Sequence, residues 1–133
     1  MMPLGLALLL VALVAGESVG ATRWHAGNLS PLIVGWQQFF RVQWTVAKGG
    51  GERSVEGYLT NVWGFAATDI QLLVHGYDGA GRRVGQLVAW GPPVIRPGGR
   101  VYFTVPVPKA ATYDVAILAW NWQQEGGPRQ RRH

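Results

Sequence analysis

The stretch VHGYDGAGRRVG, Val74 to Gly85, brings a histidine, an aspartate, two arginines and several glycines within a few residues. Metal sites and phosphate loops are built from such sets, and so are turns between strands. A phosphate cradle requires a helix to begin after the glycines, so that unpaired N–H groups and the helix dipole face the anion. Arg82-Arg83-Val84-Gly85 reads instead as the start of a strand. Asp78-Gly79-Ala80-Gly81 is therefore predicted to close a hairpin. In that turn the Asp78 side chain bonds nearby backbone, and Gly79 or Gly81 takes positive φ without steric cost.

Other reactive groups are sparse. His25 and His133 lie near the two chain ends, and His75 sits in a predicted strand. A zinc site needs three or four ligands in fixed geometry, and no HxH, HxxxH or cysteine pair occurs. Beyond the leader, Ser30 and Ser54 are the only serines, and neither lies in a GxSxG elbow. The carboxylates Glu52, Glu56, Asp69, Asp78, Asp114 and Glu125 fall mostly in turns or at strand ends. Asp69 and Asp78 bracket one strand, so they cannot share a calcium ion, which wants clustered oxygens. The expectation is a non-enzymatic chain with no cofactor and no metal.

The seven tryptophans are the strongest oddity of the composition. Trp44 shares a predicted face with Val42 and Val46 and reads as core. Trp120 and Trp122 are expected on one face of the last strand, together with Leu118. Trp63 and Phe65 differ, because they stand in the loop NVWGFAATD between strands. That loop either plugs the end of the fold or offers an aromatic stacking surface. Trp63, Phe65 and Trp122 are the candidate binding residues.

Positioning these groups falls to strands. Gly and Pro interrupt every window long enough for a helix, and apolar residues recur with period two. Phe39 to Val46, Ser54 to Asn61, Ile70 to Tyr77, Arg83 to Trp90, Arg100 to Val105 and Tyr113 to Trp122 are the predicted strands, and Leu32 to Trp36 is a seventh. Short strands with regular turns and no room for crossover helices indicate an all-β antiparallel sandwich of about seven strands, with a small closed barrel as the alternative.

The chain opens on an uncharged apolar run, Leu4 to Ala15, followed by small residues up to Ala21. This suits a secretory signal better than a membrane span. No Lys or Arg precedes the run, which is consistent with a displaced start codon or an uncleaved anchor. The expected organisation is a signal peptide over 1–21, an N-terminal segment over 22–38, the sandwich over 39–122 and a disordered basic tail over 123–133. An exported location, periplasmic or extracellular, follows from that reading. With no cysteine, the fold must rest on hydrophobic packing alone. The formal net charge of +5 owes much to Arg129, Arg131 and Arg132 in the tail. No nucleic-acid partner is expected, and a membrane only through an uncleaved N-terminal segment. Attraction to anionic polysaccharide is compatible with the charge.

GYLTN at 57–61, YDGAG at 77–81, IRPGG at 95–99, VYFTVPVP at 101–108 and YDVAI at 113–117 follow a recurring order. That order resembles the FxLYD-type immunoglobulin-like domains of exported bacterial proteins, over roughly Phe39 to Trp122. Tyr77-Asp78 match the last two letters of the family's name motif, while Val74 and Gly76 stand where it has Phe and Leu. Pro108 followed by Tyr113 also looks like the tyrosine corner of fibronectin-type sandwiches, in which the hydroxyl ties down the crossover. The resemblance implies an extracytoplasmic sandwich and supplies no catalytic residues. The function expected is therefore contact with an unknown protein partner in the periplasm or at the cell surface. The alternative is a carbohydrate- or cell-wall-binding module using exposed tryptophans.

Overall fold

The computed structural model describes residues 22–123. Seven strands follow in order: β1 (Phe40–Gly49), β2 (Glu52–Asn61), β3 (Ala66–Tyr77), β4 (Arg83–Trp90), β5 (Val94–Ile95), β6 (Arg100–Val107) and β7 (Thr112–Gln123). One sheet has the order β1-β2-β6. In the other, β3 is central, with β7 along one side and β4 and β5 sharing the other. All pairings are antiparallel. The fold is an antiparallel β-sandwich of a three-stranded and a four-stranded sheet.

Alternation explains the layers. Val55 and Leu59 of β2, Phe103, Val105 and Val107 of β6, Leu72 and Val74 of β3, and Tyr113, Val115 and Ile117 of β7 all enter one buried cluster. Each fully buried aliphatic side chain contributes about 1.5–3 kcal/mol, which suffices without a cross-link. Tyr113 serves both layers: its ring is in the core and its hydroxyl donates to the Pro108 carbonyl at 2.7 Å. The tyrosine corner is present.

Two expectations about strands need correction. Leu32 to Trp36 is not a strand. Gly35 adopts the left-handed conformation (φ 83°) and a 3-10 turn follows at Trp36–Gln38, so the chain reverses toward β1. The seventh strand is the two-residue β5, paired with Ala67 and Thr68 of β3.

Leu118 also does not share a face with Trp120. From Thr68 to Gln71, β3 holds one residue more than β7, and from Gln71 to Leu72 β7 holds one more in turn. The extra residue in β7 is Leu118, so the alternation slips there and Ile117 and Trp120 both reach the core. Asp69, on the β3 side of this double bulge, has φ 51°, an unusual value for a non-glycine residue.

The segment before β1 belongs to the fold. Trp24 lies between the sheets, 6.1 Å from the Tyr113 ring. It occupies a slot left by the cross-strand pair Gly76 and Gly85, where an added Cβ would come within 2.3 Å of Trp24 in either case. His25 then bridges to Gln86 of β4 by two main-chain hydrogen bonds of 2.8 and 3.0 Å. Further on, Leu29 N–H donates to the Gln86 side chain, the His75 ring bonds Leu29 O, and Leu32 N–H reaches Leu118 O of β7. The segment thus runs from the β4 edge across the outer side of β3 to β7.

The signal peptide expected over 1–21 and the basic tail expected over 123–133 lie, but for Gln123, outside the described residues.

Candidate functional site

Asn61, at the end of β2, organises one end of the sandwich. Its side chain is wholly buried. Nδ2 donates to Phe65 O at 2.8 Å and to Ile95 O at 3.0 Å, and Oδ1 accepts from Trp63 N–H at 2.9 Å. The loop from Val62 to Phe65 is thereby wrapped around a single amide. A further bond, Val62 N–H to Phe39 O at 2.9 Å, ties the loop to the start of β1.

The aromatic rings follow from that arrangement. Trp63 meets Phe39 edge-on, with centroids 4.7 Å apart. Phe39 also lies 5.6 Å from Trp122, and Phe65 lies 6.4 Å from Trp122. The three candidate binding residues are therefore brought together, Trp63 and Trp122 against Phe39 and Phe65 against Trp122. Trp63 remains 42% exposed and Phe65 45%, while Trp122 is half-buried over Phe40 and Trp120. The loop caps the end of the core and still presents two rings to solvent. Its hydrogen bonds hold the backbone that carries both rings.

The turn residues stand where a hairpin requires them. Asp78 Oδ1 accepts from Ala80 N–H and Arg82 N–H at 2.9 Å each, and Gly81 takes φ 81°. Gly79 is not among the positive-φ glycines, so of the two alternatives Gly81 supplies the left-handed position. Arg82 lies 3.4 Å from Asp78. The opening motif closes a turn.

His75 is buried on the outer side of β3, and its ring contact to Leu29 O fastens the N-terminal segment. His25, although near the chain end, is held by its main chain. Gln86 makes both main-chain bonds to it, and Trp24, the residue before it, is seated over Gly76 and Gly85. Among the described residues no group of three or more His, Asp or Glu could hold a metal ion. Also among them, no helix is long and apolar enough to cross a membrane. An open groove of about 940 Å³ lies beside the β1–β2 turn, near Lys48, Arg53 and Lys109. There the Arg53 guanidinium already donates to Ala110 O at 3.0 Å.

Two exposed aromatic features went unmarked in the sequence reading. Trp90, at the end of β4, is 70% exposed. Its signal was the phase of the strand, since Trp90 alternates with Ala89 and Leu87, which turn toward the core. The second lies on the outer face of the three-stranded sheet, where Tyr58 and Tyr102 are cross-strand partners with rings 5.7 Å apart. Arg100 lies over the Tyr58 ring at 4.3 Å, and the Tyr102 hydroxyl donates to Glu56. That hydrogen bond holds the Tyr102 pKa above the ordinary phenol value, aided by partial desolvation and the carboxylate's charge. Alternation already put both tyrosines on outward faces, but only the register makes them neighbours.

No protein-family model matches the chain, and no curated protein matches it. A solved structure, described as the X-ray structure of Northeast Structural Genomics Consortium target SoR45, superposes with a TM-score of 0.42 and 14% identity. The match covers 74% of this chain and 96% of that one. A likeness of that degree carries no argument about function.

Proposed function

We propose that the chain is a non-enzymatic, exported β-sandwich module of the FxLYD-like type that acts through protein contacts in the periplasm or at the cell surface. The observation that carries this reading is the aromatic end: Trp63 and Phe65, half-exposed and held in place by the buried Asn61 amide. Aromatic side chains on a rigid base supply large contact area at little entropic cost, as interface hot spots do. Val62 extends the apolar surface, being 40% exposed.

The alternative is a carbohydrate- or cell-wall-binding module using exposed tryptophans. It draws on Trp63 and on Trp90, the latter standing out on β4.

Photo-crosslinking in producing cells separates these readings. A photoreactive phenylalanine at position 65 should give a discrete protein adduct that is absent when Trp63 is also changed to Ala. The same probe at Thr104, on the opposite sheet, should give none. If no adduct forms and purified chain pellets with cell-wall material in a Trp63-dependent manner, the protein-contact reading is wrong and the carbohydrate reading stands.

A further inference from the structure

The outer face of the β1-β2-β6 sheet has a composition unlike the aromatic end. Register places Arg41, Thr60 and Arg100 in one row across the three strands, with Gln43, Tyr58 and Tyr102 in the next. Thr45, Glu56 and Thr104 form the third. Guanidinium, amide, hydroxyl and phenol groups fill these rows, and no aliphatic side chain interrupts them. Tyr58 and Tyr102 are 39% and 49% exposed.

Charge on this face is unbalanced. Glu56 is engaged by the Tyr102 hydroxyl, whereas Arg41 and Arg100 form no ion pair among the described residues. Two exposed arginines therefore rise from the two flanking strands, whose backbones are about 9–10 Å apart at the usual strand spacing, and the Arg100 guanidinium leans over the Tyr58 ring. A flat, hydrogen-bonding surface with exposed rings and two arginines that lack a carboxylate partner among the described residues complements a flat, hydroxyl-rich polymer carrying carboxylates.

We propose that this face binds an anionic polysaccharide, with sugar rings lying against Tyr58 and Tyr102 and sugar carboxylates paired with Arg41 and Arg100. Gln43 and the threonines hydrogen-bond ring hydroxyls. The site is separate from the aromatic end and does not depend on the function assigned there.

The test is titration of the full chain with a polygalacturonate oligomer at low salt, followed by amide NMR and calorimetry. Shifts should cluster on the outward positions of β1, β2 and β6. Tyr58→Ala with Tyr102→Ala should weaken binding about tenfold or more, about 1.4 kcal/mol. The Phe pair, which keeps the rings, should stay within a few-fold of the parent and guards against loss of folding. Arg41→Gln with Arg100→Gln should weaken binding and flatten its salt dependence. Trp63→Ala with Phe65→Ala should change nothing. The proposal is overturned by absence of binding, by shifts on another face, or by equal binding of the methyl-esterified oligomer. Equal binding of polyglutamate or of a DNA oligonucleotide overturns it as well, since bare charge would then explain the affinity.

Discussion

The Tyr113 hydroxyl donates to the Pro108 carbonyl at 2.7 Å, five positions upstream, and so closes the crossover between β6 and β7. The ring beneath it is buried, so the bond forms with little competition from water. Tyr113→Phe keeps the ring and removes only the bond, leaving one carbonyl without its partner. The variant should lose roughly 1 kcal/mol of stability. Urea unfolding checks this, and an unchanged midpoint with unchanged slope would mean that the bond is idle.

Trp24 is a plug with a shaped socket. Its removal by Trp24→Ala empties the slot over Gly76 and Gly85 and frees the start of the N-terminal segment. Because the ring is only partly buried, the cost should be about 2 kcal/mol, below the ~3–5 kcal/mol of a fully buried large aromatic. Hydrogen exchange gives the sharper readout. The amides of His25 and Gln86, which bond each other's carbonyls, should exchange together and faster than in the parent.

Asn61 should be among the least replaceable polar residues. Asn61→Ala strands the Trp63 N–H and deprives two carbonyls of a donor, in a buried setting. A loss of about 3 kcal/mol is expected. Acrylamide should then quench Trp63 fluorescence more strongly, with Trp63→Phe variants assigning the signal. A stable protein with unaltered quenching would show that the rings hold the loop without the amide.

Tyr102 carries a pH dependence of definite sign. Its pKa is raised above the ordinary 10.0 in the folded chain, chiefly by the hydrogen bond to Glu56. The stabilisation linked to it is thus fully present below pH 10 and is lost as pH rises through the folded-state value. Glu56→Gln should lower the Tyr102 midpoint toward 10.0. Absorbance titration at the phenolate band, with Tyr102→Phe as the reference, measures it. A midpoint indifferent to Glu56 would refute the assignment.

The strands were legible because period-two alternation survives wherever one face is buried, as in Val101, Phe103 and Val105 against Tyr102 and Thr104. Turn chemistry was legible for the same kind of reason: Asp78 and Gly81 have local jobs that their neighbours reveal. The slip at Leu118 was not. Ala116 to Trp120 is apolar in either phase, so nothing in the string marks where a residue is inserted. Leu32 to Trp36 reads as a strand from its β-branched residues, while Pro31 before it and Gly35 within it decide otherwise. Of the candidate site, Trp63 and Phe65 could be picked out as loop aromatics, but Asn61 could not, since its worth lies in Ile95, far along the chain. Gly76 and Gly85 likewise become one slot only after β3 and β4 are in register.

The position of Trp24 gives the sandwich a direction. The ring sits beside Gly76 and Tyr113, at the end where β3 finishes and β7 begins. Trp63 and Phe65 stand at the other end, where β3 begins and β7 finishes. The length of β3, 12 residues, separates them by about 35 Å at the usual rise. Whatever precedes Thr22 therefore joins the fold at its far pole from the aromatic rings. Were that segment tethered to a surface, the domain would act as a short stalk, holding Trp63 and Phe65 outward at its tip.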